Sequence, residues 1–159
     1  MEKPTTLSIE KRTLDEVKED VLRRTQMIKN PMKPPAKLEE VKLFLSRFTR
    51  LDRDHWATEW SRIAEPYEKM GHELLDSGKK KEALDAYYLA CRYYYLARYP
   101  TANSPEKKEA HRKTIQTFLA AGRLFDPPVE RVAIPFEGKE IVGYMRLPKG
   151  VSKPPLIFH

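Results

Sequence analysis

Cysteine is almost absent from these 159 residues: Cys91 stands alone, so no internal disulfide can form. On the inner side of a predicted helix it reads as a small buried hydrophobe rather than a nucleophile. Long apolar runs are missing too. Nothing approaches the roughly 18 residues that cross a bilayer, and Met1-Glu2-Lys3-Pro4 lacks the apolar core of a secretion signal, so a cytoplasmic protein with no membrane partner is expected. His55 and His72 have no second histidine at helical spacing and no cysteine nearby; no metal site and no cofactor is expected. A one-sided basic stripe is also lacking. The net charge is +7, yet acidic and basic residues interleave along 10–24 and 106–112, and the basic triplet Lys79-Lys80-Lys81 sits at a turn. Nucleic acid is therefore not expected as a partner, and the excess charge can be balanced by something outside this chain.

What is present is a composition, 40% apolar and 33% charged, that suits one domain with a real core. The stretch from Trp56 to Tyr99 organises it. Trp56, Trp60, Ile63, Tyr67, Met70 and Leu74 recur at alternating steps of four and three, which predicts one buried helical stripe. Gly78 supplies the left-handed residue that stops the helix, and a second helix follows with Ala83, Tyr87, Ala90, Tyr94 and Ala97 in line. The spacing of Gly71, Leu74, Gly78, Ala83, Tyr87 and Ala90 resembles the tetratricopeptide helical hairpin. Only one copy is found, where an array needs about three.

The second of these helices is rich in tyrosine. Tyr87 and Tyr94 fall on one face, Tyr88 and Tyr95 on a neighbouring one, a wider aromatic surface than one core contact needs. Two readings stay open: rings at a helix boundary with their hydroxyls in water, or the wall of a pocket that is apolar and also orients a polar group. As substrate-pocket candidates the residues are Tyr87, Tyr88, Tyr94 and Tyr95.

Elsewhere, residues 1–12 show no sustained period and read as a flexible arm. Thr13-Leu14-Asp15-Glu16 is a capping box, opening a helix with Leu14, Val17, Val21 and Ile28 on its apolar stripe and ending at Asn30-Pro31. After the link Pro31-Met32-Lys33-Pro34-Pro35, a helix carries Leu38, Val41, Phe44, Leu45 and Phe48, placed to serve as core, lid or docking helix. Asp52 is an N-cap, Pro66 predicts a kink or break near Glu65, and His72 reads as a boundary residue. Ser104-Pro105-Glu106 opens the last helix, whose packing face is read as His111, Ile115, Phe118, Gly122 and Phe125, with Gly122 admitting another helix. His111 has no acid or nucleophile beside it for acid–base chemistry.

At Asp126-Pro127-Pro128 the pattern turns from helix to strand. Val132, Ile134 and Phe136 alternate, Glu137-Gly138 turns the chain, and Ile141 to Leu147 returns as a hairpin. A loop follows to Pro155, and Leu156-Ile157-Phe158 reads as a strand covered on both faces, with His159 after it. Such a strand needs neighbours that this sequence does not encode, so the chain is expected to continue. The expected fold is mainly α with a C-terminal β-hairpin plus one further strand: an arm at 1–12, a helical region at 13–126, and the opening of a sheet at 129–159.

The run from Val132 to Pro148, with Gly143-Tyr144-Met145-Arg146-Leu147-Pro148 at its end and Pro154-Pro155-Leu156-Ile157-Phe158 beyond, resembles the opening of an α/β-hydrolase. The long helical lead-in is similar to the esterase-like branch related to the fermentation-respiration switch protein, pseudooxynicotine hydrolases and polyketide-shortening hydrolases. The resemblance implies a helical cap over a catalytic domain and dimer contacts. It also implies hydrolysis of a small ester or ketone by a serine on a Gly-x-Ser-x-Gly elbow, followed in the chain by an acid and a histidine. No such elbow occurs in this sequence, so no catalytic residue is assigned and the chain alone is expected to be inactive. His159 stands where the resemblance puts the entrance to the oxyanion loop, whose amide contributes about 3 kcal/mol in such enzymes. The competing class is a stand-alone tetratricopeptide-like interaction module.

Overall fold

The computed structural model describes residues 12–27, 36–99, 101 and 103–155. Several of its helices begin where a side chain can occupy their first free amides. The Glu16 amide donates to Thr13 Oγ1 (3.3 Å) and the Thr13 amide donates back to Glu16 Oε2 (2.7 Å), opening α1 (Leu14–Met27). Asp52 Oδ1 accepts from the amides of Asp54 (2.9 Å) and His55 (2.7 Å) at the start of α3 (Arg53–Asp76). Ser104 Oγ accepts from Lys107 at 3.4 Å, with Pro105 at the first position of α5 (Pro105–Gly122). Caps of this kind contribute about 1 kcal/mol each. Between them lie α2 (Leu38–Arg47) and α4 (Lys80–Arg98). The junction of α3 and α4 is a Schellman turn: Lys79 N donates to Leu74 O and Gly78 N to Leu75 O, both at 2.9 Å, with Gly78 at φ 77°.

Helix α4 is the centre of the helical region, packed between α3 and α5, while α2 lies against α1 and α3. Its inward line is the expected one: Ala83, Tyr87, Ala90, Tyr94 and Ala97 are all buried. The main core is an aromatic stack. Phe44 lies 5.2 Å from Phe48 and 4.1 Å from Trp60, Trp60 lies 6.0 Å from Tyr93, and Trp56 meets Phe44 edge-on at 4.9 Å. Trp56 Nε1 donates to Leu96 O at 2.8 Å, which ties α3 to α4.

Several details depart from the periodicity. Met70 and Leu38 face outward, because the buried side of α3 runs through Ala57, Trp60, Ala64 and Gly71, and that of α2 through Val41 and Phe44. Pro66 does not break α3; it lies on the exposed side, where water can take the carbonyl it leaves without a donor. Cys91 is half-buried rather than in the core.

Helix α5 shows the largest correction. His111 and Ile115 are exposed, and the buried line is Lys107, Ala110, Thr117, Ala121 and Gly122. The reason is steric. Helix α4 puts Tyr94 in one core cluster with Ala110 and Tyr87 in another with Ala121, so large rings on one helix require small residues on the other. Polar members of the line are satisfied locally: Thr117 Oγ1 donates to Lys113 O (2.7 Å) and Lys107 Nζ to Tyr99 O (3.0 Å). Gly122 admits the returning chain instead of a helix, since a Cβ there would lie 3.1 Å from Val129.

The hairpin is as expected. Strands β1 (Glu130–Phe136) and β2 (Lys139–Met145) pair antiparallel from Phe136↔Lys139 to Glu130↔Met145. Glu137 (φ 47°) and Gly138 (φ 73°) both adopt the left-handed conformation of a two-residue type I′ turn. Arg146 seats the hairpin on the helices: its Nε donates to Pro127 O (3.1 Å), its Nη2 to Asp126 O (3.3 Å), and its guanidinium lies over Phe125 at 4.6 Å. The described chain is thus mainly α with a C-terminal hairpin. The further strand at Leu156-Ile157-Phe158, His159, the arm at residues 1–11, Ile28 and the stop and link from Asn30 to Pro35 lie outside the described residues.

Candidate functional site

The four tyrosines proposed for a pocket divide into an inner and an outer pair. Tyr87 is buried with its ring flat against Gly71, where an added Cβ would lie 2.6 Å from the ring. Its hydroxyl meets His72 Nδ1 at 2.9 Å, and His72 is an exposed residue at the helix boundary. Tyr94 is equally buried and donates to Glu68 Oε2 at 2.7 Å; the same carboxylate holds Lys113 Nζ at 2.9 Å. Burial raises the pKa of both phenols, reinforced at Tyr94 by its bond to Glu68, so both stay neutral. Their hydroxyls are committed to joining helices.

Tyr88 and Tyr95 are half-buried on the neighbouring face. Tyr88 meets Phe125 edge-on at 5.9 Å, and burial raises its pKa while nearby Arg146 opposes the rise. Tyr95 lies under the Arg98 guanidinium at 4.4 Å. This outer surface therefore combines aromatic faces with cations, the mixture that orients a polar group against an apolar body.

One residue of the aromatic system, Tyr93, was missed by the periodic reading, whereas Tyr67 lies on the expected stripe of α3 and packs against the core. Tyr93 is fully buried, its hydroxyl accepting from the Lys37 amide at 3.0 Å; the spacing Ala86, Ala90, Tyr93, Ala97 carries its signal. Tyr67 donates to Glu40 Oε1 at 2.6 Å and accepts from Lys37 Nζ at 3.2 Å. The arginines at positions 92 and 98 were also missed, though they flank Tyr95 symmetrically in the sequence.

Chemically, what these tyrosines do within the chain is pack and join helices. The Tyr87–His72 contact pairs a hydroxyl with an imidazole, but a phenol made less acidic by burial is a poor nucleophile at neutral pH. Among the described residues no group of three or more His, Cys, Asp or Glu side chains could hold a metal ion. Among them, too, no helix is long and apolar enough to cross a membrane.

No family model matches the chain. Curated relatives do, and they are α/β-hydrolases and hydrolases of related description. The chain is 29% identical over 109 residues to the α/β-hydrolase ucsC of an Acremonium species, a match covering 61% of this chain and 22% of the relative. It is 26% identical over 125 residues to the hydrolyase poxO of Penicillium oxalicum, covering 75% of this chain and 30% of the relative. It is 27% identical over 104 residues to the esterase FrsA of Vibrio cholerae serotype O1, covering 65% of this chain and 24% of the relative. The similarity to α/β-hydrolases implied by the strand pattern after Val132 is thus found in curated proteins, of whose length this chain spans between 22% and 30%.

Proposed function

We propose that this chain is the helical cap portion of a serine α/β-hydrolase, an esterase or carbon–carbon bond hydrolase acting on a small acyl or ketone substrate. The observation that carries the reading is the disproportion of the matches: similarity extends over 61% to 75% of this chain yet over 22% to 30% of the hydrolases. The all-helical build before the hairpin, without a Gly-x-Ser-x-Gly elbow anywhere in the sequence, supports it. In this reading Tyr88 and Tyr95 face the substrate, and Tyr87 and Tyr94 hold the wall behind them. His159 stands at the entrance to the oxyanion loop, the cap takes part in a homodimer, and the protein is cytoplasmic.

The test is a serine-reactive fluorophosphonate applied to the native protein in its source cells, with intact mass read on the labelled species. The expected product contains these residues, is heavier than the 159-residue chain by a further domain, and is labelled at a serine outside it. An unlabelled product with the mass of this chain overturns the reading. That outcome favours the tetratricopeptide-like interaction module, which the close fit of Gly71 on Tyr87 also accommodates.

A further inference from the structure

Arg92 and Arg98 lie three residues to either side of Tyr95 on α4. Their guanidinium carbons are 6.0 Å and 4.4 Å from the centroid of its ring. Both side chains are half-buried, and Nε of each is buried without a hydrogen-bond partner. Arg62 and Arg112 take Glu59 and Glu109 as ion-pair partners; no such pair is made by Arg92 or Arg98 among the described residues. The groups acting on Arg92 besides burial, which lowers its pKa, are Tyr95, Tyr93 and Cys91, none of them a carboxylate.

A guanidinium keeps its charge at any physiological pH, and stacking on an aromatic ring engages its face alone. Its N–H donors lie in the plane of the group and point away from the ring. The fold therefore half-buries two cations and leaves the Nε of each without an acceptor, an arrangement that Leu or Met would avoid if packing were the sole requirement. The carbonyl end of α4 opposes an anion, and Lys107 Nζ, which donates to the C-cap carbonyl Tyr99 O at 3.0 Å, places a positive charge there that offsets part of this field.

We propose that Arg92 and Arg98, arrayed about Tyr95, form a binding site for an oxyanion carried by a small molecule, a carboxylate or a phosphate. Two oxygens of such a group match the in-plane fork of a guanidinium, and the stack on Tyr95 holds the Arg98 fork in place before the ligand arrives. The Nε donors are recessed instead of displayed on a flat face, which suits a small anion better than a docking protein. The site rests on these guanidiniums and holds independently of the hydrolase reading.

The experiment is a ¹H–¹⁵N correlation of the arginine Nε–H groups in the labelled chain, titrated separately with sodium acetate and with inorganic phosphate at ionic strength held constant by chloride. Arg92→Lys and Arg98→Lys assign the two resonances. The expected result is a saturable shift of both with one midpoint, weakened about tenfold in each lysine variant, because lysine keeps the charge and loses the fork. A response to acetate alone or to phosphate alone identifies the oxyanion. No saturation with either anion overturns the proposal; it is also the result if the natural acceptor is a protein carboxylate. An unchanged midpoint in both variants overturns it as well. Should circular dichroism show a variant unfolded, the wild-type titration decides the matter by itself.

Discussion

Lys113 Nζ lies 2.9 Å from each carboxylate oxygen of Glu68, and the same carboxylate accepts the Tyr94 hydroxyl at 2.7 Å, so one acidic side chain joins α3, α4 and α5. Glu68 is 14% exposed and Lys113 29%, which withdraws the pair from much of the screening that weakens surface ion pairs. Glu68→Ala leaves a buried phenol and a part-buried ammonium without their acceptor and is expected to cost about 2–3 kcal/mol. Glu68→Gln keeps an acceptor for Tyr94 and is expected to cost about half as much. Urea unfolding measures both; a Glu68→Ala variant as stable as wild type would show that this junction contributes nothing.

Burial pushes the Tyr93 phenol up to about 12, and those of Tyr67 and Tyr94 also rise, with burial the largest cause at each. A raised pKa in the folded state means that folding favours the neutral phenol. Its contribution is complete below the ordinary phenol value of about 10 and is lost as pH climbs towards the folded value, at about 1.4 kcal/mol per pH unit for each group. The urea midpoint should therefore hold steady near neutrality and fall above about pH 10. Tyr93→Phe should fall less steeply, and its own cost near neutrality is expected to be about 1 kcal/mol for the part-buried bond it makes with the Lys37 amide. Parallel curves for the two proteins would remove Tyr93 from the account.

Gly71→Ala sets helix propensity against packing. Alanine gains about 1 kcal/mol in a helix interior, but its Cβ would stand 2.6 Å from Cδ1 of Tyr87 and force that buried ring out of place. A net loss of about 1–2 kcal/mol is expected, together with loss of the Tyr87–His72 contact in NMR spectra. A variant more stable than wild type would show that the ring moves freely.

Arg146→Ala removes the bonds to Pro127 and Asp126 and the contact with Phe125, all near the surface. Global stability should change by less than about 1 kcal/mol, since the helical core is untouched. Hydrogen exchange in β1 and β2 should instead accelerate, because Ile134, Phe136 and Ile141 are all exposed and offer the hairpin little other anchorage. Unchanged exchange would place the anchorage elsewhere, for example in the edge contact between Tyr144 and Phe118.

In a hydrolase carrying these residues, Tyr88→Ala or Tyr95→Ala should raise KM about 5–10-fold with kcat nearly constant, as expected for lost ground-state contacts. Tyr94→Phe should leave the kinetics alone and lower stability, because its hydroxyl is spent on Glu68. Steady-state kinetics with thermal melts separates the two pairs, and equal effects on KM would sink the division into inner and outer tyrosines.

Much of the fold was legible because its signals are local. The Thr13–Glu16 box, the Asp52 and Ser104 caps, the Gly78 turn and the Glu137-Gly138 hairpin each act on residues within a few positions, and each is found as expected. The face of α5 was not legible. Ile115 and Phe118 offered the stronger apolar signal, yet Ala110, Thr117 and Ala121 turn inward because Tyr87 and Tyr94 already occupy the space between the helices. The candidate site was half-legible for the same reason: spacing separates Tyr87 and Tyr94 from Tyr88 and Tyr95, but it does not say which hydroxyls find acceptors across an interface.

By itself the sequence determined where helices start and stop, where the pattern changes to strand, and that the segment after Val132 resembles an α/β-hydrolase. Capping, backbone conformation and alternation depend on residues close along the chain. Tertiary structure alone decided that Glu68 joins Tyr94 to Lys113, that Gly71 seats Tyr87, and that Arg92 and Arg98 lie about Tyr95 without acceptors for their Nε groups. Burial and hydrogen bonding at each of these positions depend on what a distant element brings opposite, and a helical period carries no record of that.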